Sequence, residues 1–131
     1  MSCGLATAAG LTWNRDAMQL LIHIGDEKPH GLTSSGHDNY PDGCPDGHDA
    51  LRVAHNLAKK GIPIYNVFCG YSNGGLTETF YHALSHITHG QCVSLTNADT
   101  LSKIVLGAAM EEQTMNRISQ KVKLANFISQ R

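Results

Sequence analysis

The residue best placed for chemistry is Asp26, which directly follows a short apolar run. That run, Leu20–Ile24, ends at Gly25, and the turn formers Pro29 and Gly31 come soon after. A short, nearly continuous apolar run is typical of a strand buried on both faces of a parallel sheet. Open α/β sheets bind ligands at the carboxyl ends of their strands, where Asp26 would lie. The sequence therefore predicts that Asp26 contacts a ligand or metal, or else caps nearby backbone N–H groups.

The segment Glu27–Gly47 is dense in Gly, Pro, Asp, Asn, Ser and His, the residue types of turns and loops. Loops of this length are usually functional or disordered. The imidazole, thiol and carboxylate groups of this segment could bind zinc or another transition metal. Their spacing, however, fits no structural zinc pattern and no EF-hand loop. The favoured interpretation is a solvated cluster of turns whose Asp and Asn side chains cap their own backbone. The side chains concerned, including two just beyond the segment, are His30, His37, Asp38, Asp42, Cys44, Asp46, His48 and Asp49.

Three further histidines share one side of a predicted helix, because His82, His86 and His89 are spaced by about one helical turn. Histidines so spaced can ligate a metal, but the Glu of a His-Glu-x-x-His signature is absent. Apolar residues of the same helix take its core-facing side, so we expect these histidines to face water. His23, inside the first predicted strand, is expected to be a hydrogen-bonded core or interface residue.

Motifs for enzyme chemistry are few. The sequence contains no Gly-x-Ser-x-Gly elbow and no P-loop, and the glycine-rich stretch Gly70–Gly75 fits neither fingerprint. Cys44 and Cys69 have no evident base beside them in the sequence. The leading hypothesis is a non-enzymatic interaction protein. The alternative is a metal-dependent hydrolase or transferase that uses Asp26 with His30 and a loop carboxylate.

The composition indicates one globular domain. The chain has 131 residues and a formal net charge of −1 at pH 7, so charge alone suggests neither nucleic acid nor an anionic membrane as a partner. No apolar stretch approaches the length of a membrane span, and Met1–Gly10 lacks the pattern of a signal peptide. The cysteines form no Cys-x-x-Cys pair. We expect a cytoplasmic protein with reduced thiols, in which Cys69 and Cys92 behave as small hydrophobic residues.

The hydrophobic pattern alternates between helical and strand periodicity along the chain. Such alternation is typical of βαβ units, and it predicts an α/β fold with an open, Rossmann-like parallel sheet of about three strands and helices on both faces. The strands are predicted at Leu20–Ile24, Ile62–Cys69 and Cys92–Leu95. A first helix is predicted at Ser2–Thr12, and a second is capped by Asp46 or Asp49 and ended by Gly61. A third helix runs from Thr77 to Gly90, and the last is opened by Asn97 or Asp99 and extends to Phe127 and Ile128.

Three blocks of the chain form a recognisable set. The first is Leu20–Asp26 followed by Pro29-His30-Gly31, the second is Lys60–Tyr65, and the third is Thr88–Leu95. Together with the loop Asp38–Gly47, they resemble the C-terminal half of a von Willebrand factor A domain. The closest likeness is to the intracellular subgroup found with atypical alpha-kinases. The resemblance implies a truncated form of that fold over residues 1–131, without the half that carries the metal-loop strand.

The resemblance also implies a site. In this family a divalent cation is held by an Asp-x-Ser-x-Ser loop, a Thr from another loop and an Asp at the end of the fourth strand, and Asp26 matches that last Asp. Because Asp-x-Ser-x-Ser does not occur in this chain, the implied metal-ion-dependent adhesion site is incomplete and would hold Mg²⁺ or Ca²⁺ weakly. His30 and Asp42 are further candidate ligands. The implied function is binding of a protein partner, for which the candidate contacts are Asp26, His30, His37, Asp38, Tyr40 and Asp42.

A truncated fold of this kind has a physical consequence for the first strand. The edge of Leu20–Ile24 that the missing half would cover is expected to be unpaired, apolar and exposed. We therefore expect marginal stability or self-association through this edge, with the last helix helping to cover it. A fragment without activity of its own is the third hypothesis.

Overall fold

The computed structural model describes residues 1–33, 38–71 and 74–129, so the predicted contact His37 lies outside the described residues. Helices and strands alternate in the predicted order. The elements are α1 (Ser2–Gly10), β1 (Leu21–Gly25), α2 (Ala50–Lys59), β2 (Ile64–Phe68), α3 (Leu76–Thr88), β3 (Cys92–Ser94), a 3₁₀ turn (Ala98–Thr100) and α4 (Leu101–Ser129).

The strands form a parallel sheet in the order β1-β2-β3, which confirms the predicted sheet of about three parallel strands. Leu21 pairs with Ile64, and Asn66 pairs with Cys92. Successive right-handed crossovers that step in one direction across a sheet place their helices on the same face. α2 and α3 pack against each other accordingly. The fold is thus α/β and consistent with a Rossmann-like arrangement.

β2 is the centre of the core, because every one of its residues is buried. Successive side chains of a strand point to opposite faces, so both faces of β2 are covered. Ile64 shares one apolar cluster with Leu57 of α2 and Leu84 of α3, and each of the three is 0% exposed. α1 extends this cluster through Leu5. The core therefore lies mainly between the sheet and the α1–α2–α3 layer.

α4 covers the opposite face of the sheet with its first half. Ala108 is 5% exposed, and the Tyr65 hydroxyl donates a 2.8 Å hydrogen bond to Glu112 Oε1. Farther along the helix, Met115 and Ile118 are 57% and 50% exposed. The apolar stripe predicted for this helix is therefore buried near its start and exposed towards its end.

The local signals at the ends of α2 are those the sequence predicts. Of the two candidate caps, the structure uses Asp49, whose Oδ1 accepts hydrogen bonds from the backbone N–H groups of Leu51 and Arg52 at 2.9 and 3.3 Å. Gly61 follows the last turn with φ of +72°, a left-handed conformation that glycine adopts without steric cost.

The end of α3 differs from the prediction. The residue in the left-handed conformation is His89, with φ of +61°, and Gly90 comes after it. Gly90 serves a different purpose, because a Cβ atom built there would overlap the carbonyl of Ile64. The glycine is needed for close approach of the chain to β2, and the sequence alone shows only that a glycine is present.

β1 is an edge strand in the described part of the chain, since it pairs with β2 and no other described strand lies beside it. Ile24 is 48% exposed although it points to the α4 face. α4 therefore does not cover the end of this strand, contrary to the expected role of the last helix. None of the helices in the described ranges combines the length and hydropathy needed to cross a membrane.

Candidate functional site

Asp26 lies at the predicted place, directly after β1 at the carboxyl edge of the sheet, and it is exposed. The end of β1 is held by contacts with the end of β2 and with α3. The Gly25 carbonyl accepts a 2.7 Å hydrogen bond from the Cys69 backbone N–H, which continues the pairing of β1 with β2. A Cβ atom at Gly25 would meet the Tyr81 hydroxyl at 2.7 Å. The position of Asp26 is therefore fixed by tight packing of the glycine before it.

Tyr81 of α3 anchors the chain just beyond Asp26. The residue is 1% exposed, and its hydroxyl donates a 3.1 Å hydrogen bond to the Glu27 carbonyl. Its ring lies against those of His23 and Phe68, with centroids 5.0 and 5.2 Å away. Burial, followed by the negative charge of Asp26, raises the pKa of Tyr81 to about 12. Tyr81 thus remains a neutral hydrogen-bond donor beneath the carboxyl edge of the sheet.

His23 belongs to a buried polar network between the sheet and α3. Its Nδ1 lies 2.8 Å from Oδ1 of Asn66, which is 0% exposed. The Asn66 Nδ2 donates to the Tyr81 carbonyl and to Ser85 Oγ at 2.9 and 2.8 Å. The Asn66 Oδ1 can only accept a hydrogen bond, so the donor in its contact with His23 is the N–H at Nδ1. Burial lowers the pKa of His23, so the predicted hydrogen-bonded interface histidine is confirmed as a structural residue.

The loop after β1 is organised by Asp38. Its carboxylate accepts hydrogen bonds from the backbone N–H groups of Gly31 and Tyr40 at 2.8 and 2.9 Å, and it contacts His30 Nδ1 at 2.6 Å. These bonds, led by the one from Gly31, lower the pKa of Asp38 to about 2. Only 3% of the Asp38 side chain is exposed, against 46% for His30. The prediction that loop carboxylates cap their own backbone is confirmed at this residue.

Two other predicted contacts are accessible. Tyr40 is 47% exposed, and its ring meets His30 edge-on, with centroids 5.0 Å apart. Asp42 is exposed and lines, with His30, a cleft of about 350 Å³. Among the described residues, however, Asp26, His30 and Asp42 do not form a group of three potential metal ligands. A cation at Asp26 therefore stays a prediction.

The structure instead gathers three potential ligands that sequence reasoning did not combine. Cys3 Sγ lies 3.2 Å from Cys44 Sγ and 3.4 Å from Asp46 Oδ2, and Cys3 and Asp46 are exposed whereas Cys44 is half-buried. The hydrogen bond from Cys3, followed by that from the His48 backbone, lowers the pKa of Cys44. The same contact raises the pKa of Cys3 to about 11. Cys44 is thus the more acidic thiol of the pair.

Three histidines and two cysteines that the sequence singles out lie in or next to α3, β2 and β3. His82, His86 and His89 are exposed, as their helical spacing predicts. Cys92 is half-buried and lies in β3. Cys69, by contrast, is exposed and lies one residue beyond β2. Its predicted behaviour as a buried hydrophobic residue is wrong because the strand ends at Phe68.

Comparison of the chain with models of known families, with curated proteins and with solved structures finds no match. The likeness to a von Willebrand factor A domain therefore rests on the three sequence blocks, and the site is interpreted from its own geometry.

Proposed function

We propose that this chain is a non-enzymatic protein-interaction module of von Willebrand factor A type. It binds a protein partner through the carboxyl edge of its sheet, which presents Asp26 and the loop Glu27–Gly47. The observation that carries the proposal is the exposed Asp26 at a tightly packed strand end, together with exposed apolar and aromatic side chains on β1 and on the segments that follow β1 and β2. We call this surface the rim and define it by Ile24, Asp26, Tyr40, Tyr71 and Leu76.

The composition of the rim suits a protein partner. Tyr71 is 94% exposed, and Ile24, Tyr40 and Leu76 are 48%, 47% and 51% exposed. Exposed apolar side chains next to polar ones are typical of interaction surfaces. Tyrosine is enriched in interfaces because it buries a large area with few rotatable bonds. A partner that offers a basic group to Asp26 and an apolar surface to these rings would fit the rim.

The described part of the loop supports the same proposal because Asp38 holds it together from within. Asp38 ties the backbone of Gly31 to that of Tyr40. Gly31 adopts φ of +78°, and a Cβ there would meet the Gly43 backbone at 2.7 Å. A surface held in one conformation loses little entropy when it binds. Asp38 thus acts as a positioning residue, while Tyr40 and Asp42 offer side chains to the partner.

The resemblance supplies the type of module, and Asp26 is the residue on which a cation would be held. With one carboxylate and no Asp-x-Ser-x-Ser loop, such a cation would keep most of its water ligands and bind weakly. We rank the metal-dependent hydrolase second. It requires Asp26, His30 and a loop carboxylate to converge, and no such group is found in the described part of the chain.

Affinity capture with the purified chain tests the proposal. Wild type, Asp26→Ala and Tyr71→Ala are immobilised in parallel, and the captured proteins are quantified by mass spectrometry. The matched controls are Asp16→Ala, an exposed acid before β1, and Leu106→Ala, an exposed residue on α4. We expect at least one protein whose capture falls more than about tenfold with the rim variants, a typical loss for a hot-spot residue. Equal capture by all five proteins would refute the proposal.

A further inference from the structure

The first turn of α1 and the turn at Cys44–Gly47 bring three side chains together from distant parts of the sequence. The donor atoms of Cys3, Cys44 and Asp46 all lie within 4.8 Å of one another. None of the three is among the residues that define the rim, although Cys44 and Asp46 belong to the loop that follows β1. Two sulfur atoms and one carboxylate oxygen are the donor set of a transition-metal site, and they differ in kind from the oxygen donors that Mg²⁺ or Ca²⁺ would take.

The distances fit a metal better than a disulfide. Sulfur ligands on a tetrahedral zinc ion lie roughly 3.8 Å apart, given a Zn–S distance of about 2.3 Å. The observed Sγ–Sγ distance of 3.2 Å therefore needs an adjustment of about half an ångström. A disulfide bond of about 2.05 Å would require the sulfurs to move together by more than an ångström. The distance of 3.4 Å from Cys3 Sγ to Asp46 Oδ2 is close to the sulfur–oxygen spacing around zinc.

We propose that Cys3, Cys44 and Asp46 form a zinc site, with water in the fourth coordination position. Each thiol loses its proton to solvent as its sulfur–zinc bond forms, so binding of one Zn²⁺ releases two protons. The Asp46 carboxylate supplies an oxygen ligand without proton loss.

Zinc at this position would join α1 to the loop that follows β1. Cys3 is in α1, which packs on α2, and Cys44 and Asp46 belong to the loop that Asp38 organises. A Cys3–zinc–Cys44 link spans 41 residues of chain and fixes the loop against the helical layer. The zinc tests read metal binding and thiol protection, whereas the rim is tested by partner capture, so failure of one proposal is distinguishable from failure of the other.

Cobalt substitution in the full chain tests the site. The apoprotein is prepared with a non-thiol reductant and titrated with Co²⁺, which reports thiolate ligands by a sulfur-to-metal charge-transfer band and tetrahedral geometry by its visible bands. We expect one Co²⁺ per chain, displaced by Zn²⁺. Cys3→Ser and Cys44→Ser should weaken the charge-transfer band and lower affinity by more than about tenfold, the loss seen even for outer-shell partners. Asp46→Asn should lower affinity while the sulfur band stays. Cys69→Ser, at an exposed cysteine outside the cluster, should bind as wild type does.

Alkylation of the thiols, read by mass spectrometry, separates zinc from a disulfide. We expect Zn²⁺ to protect Cys3 and Cys44 but not Cys69, and the protection to be reversed by a chelator and unaffected by the reductant. Protection that the reductant reverses and the chelator does not would overturn the proposal in favour of a disulfide. Failure of the folded wild-type chain, checked by circular dichroism, to give a sulfur-to-cobalt band would overturn it as well.

Discussion

Asn66 of β2 and Asp38 of the loop each hold neighbouring segments together through a nearly inaccessible polar side chain. They differ in how far apart in the sequence the connected residues lie. Asn66 connects His23 of β1, 43 residues away, to Tyr81 and Ser85 of α3. Asp38 connects only His30, Gly31 and Tyr40, within eight residues. The first side chain ties together elements of the core, whereas the second shapes one loop. Loss of Asn66 should therefore affect global unfolding, and loss of Asp38 should affect the loop alone.

The largest effect is expected for Asn66→Ala. It would leave His23 Nδ1 without its present partner and would remove the donor to Ser85 Oγ, which keeps only its bond to the Gln91 carbonyl. We expect a cost of about 2–3 kcal/mol in the free energy of unfolding. Urea denaturation followed by circular dichroism measures this change. The matched control is Asn56→Ala, at an exposed position of α2, which should shift the free energy by less than about 0.5 kcal/mol. Similar midpoints for the two variants would show that the network does not tie the core together.

The stabilising effects of the core network around Asn66 and of the Asp38 loop should also change in different pH ranges. Burial lowers the pKa of His23 below its ordinary 6.5, so the folded state binds this proton less readily than the unfolded state does. Stability is therefore fully present above pH 6.5 and falls as the pH drops below 6.5. The pH dependence of the melting temperature should flatten in His23→Gln, which keeps a donor for Asn66, and should persist in His82→Gln. An unchanged profile in His23→Gln would remove His23 as its source.

The stabilising effect of Asp38 changes at a lower pH than that of His23. Its pKa is lowered from 3.8 to about 2, so its stabilising effect is present above pH 3.8 and is lost as the pH falls through 2. At neutral pH we expect Asp38→Asn to speed proteolytic cleavage within residues 27–47 severalfold and to leave the global unfolding midpoint almost unchanged. Asp42→Asn, at an exposed loop carboxylate, is the control. A large drop in the midpoint would mean that the loop is part of the cooperative core.

The smallest effect concerns the free edge of β1. We expect weak self-association through this edge, because no other strand of the described residues pairs with it and Ile24 of the same strand is 48% exposed. Ile24→Lys should lower the mass that light scattering measures at high concentration, since a lysine opposes strand pairing there. Leu106→Lys, at an exposed position of α4, serves as control. A wild-type chain that stays monomeric at every concentration would contradict this expectation.

Features that depend on local signals can be predicted from the sequence, whereas those that depend on how elements meet cannot. The order of elements, and from it the parallel sheet, follows from hydrophobic periodicity. Capping side chains narrow the start of α2 to Asp46 or Asp49, and the structure selects Asp49. The need for Gly90 at the Ile64 carbonyl and the exposed position of Cys69 depend on how elements meet, which no local pattern records. The self-capping of the Asp38 loop is intermediate, because residue types predict the turns but not which carboxylate organises them.

The candidate site divides in the same way. Asp26 at a strand end can be predicted, since the carboxyl ends of parallel strands share one edge. The approach of Cys3 to Cys44 cannot, because 41 residues separate them and their meeting depends on how α1 packs against α2. The only signal in the sequence is the presence of cysteine and acidic residues near one turn.

The central claim, that the carboxyl rim is the binding face, is tested most directly by NMR on the isotope-labelled chain with a captured partner. We predict that chemical-shift changes and cross-saturation concentrate on Asp26, Tyr40, Tyr71 and Leu76. The amino edge at Asp16 and the exposed end of α4 at Ile118 should be unaffected. Changes centred on the amino edge or on α4, with the rim silent, would contradict the account.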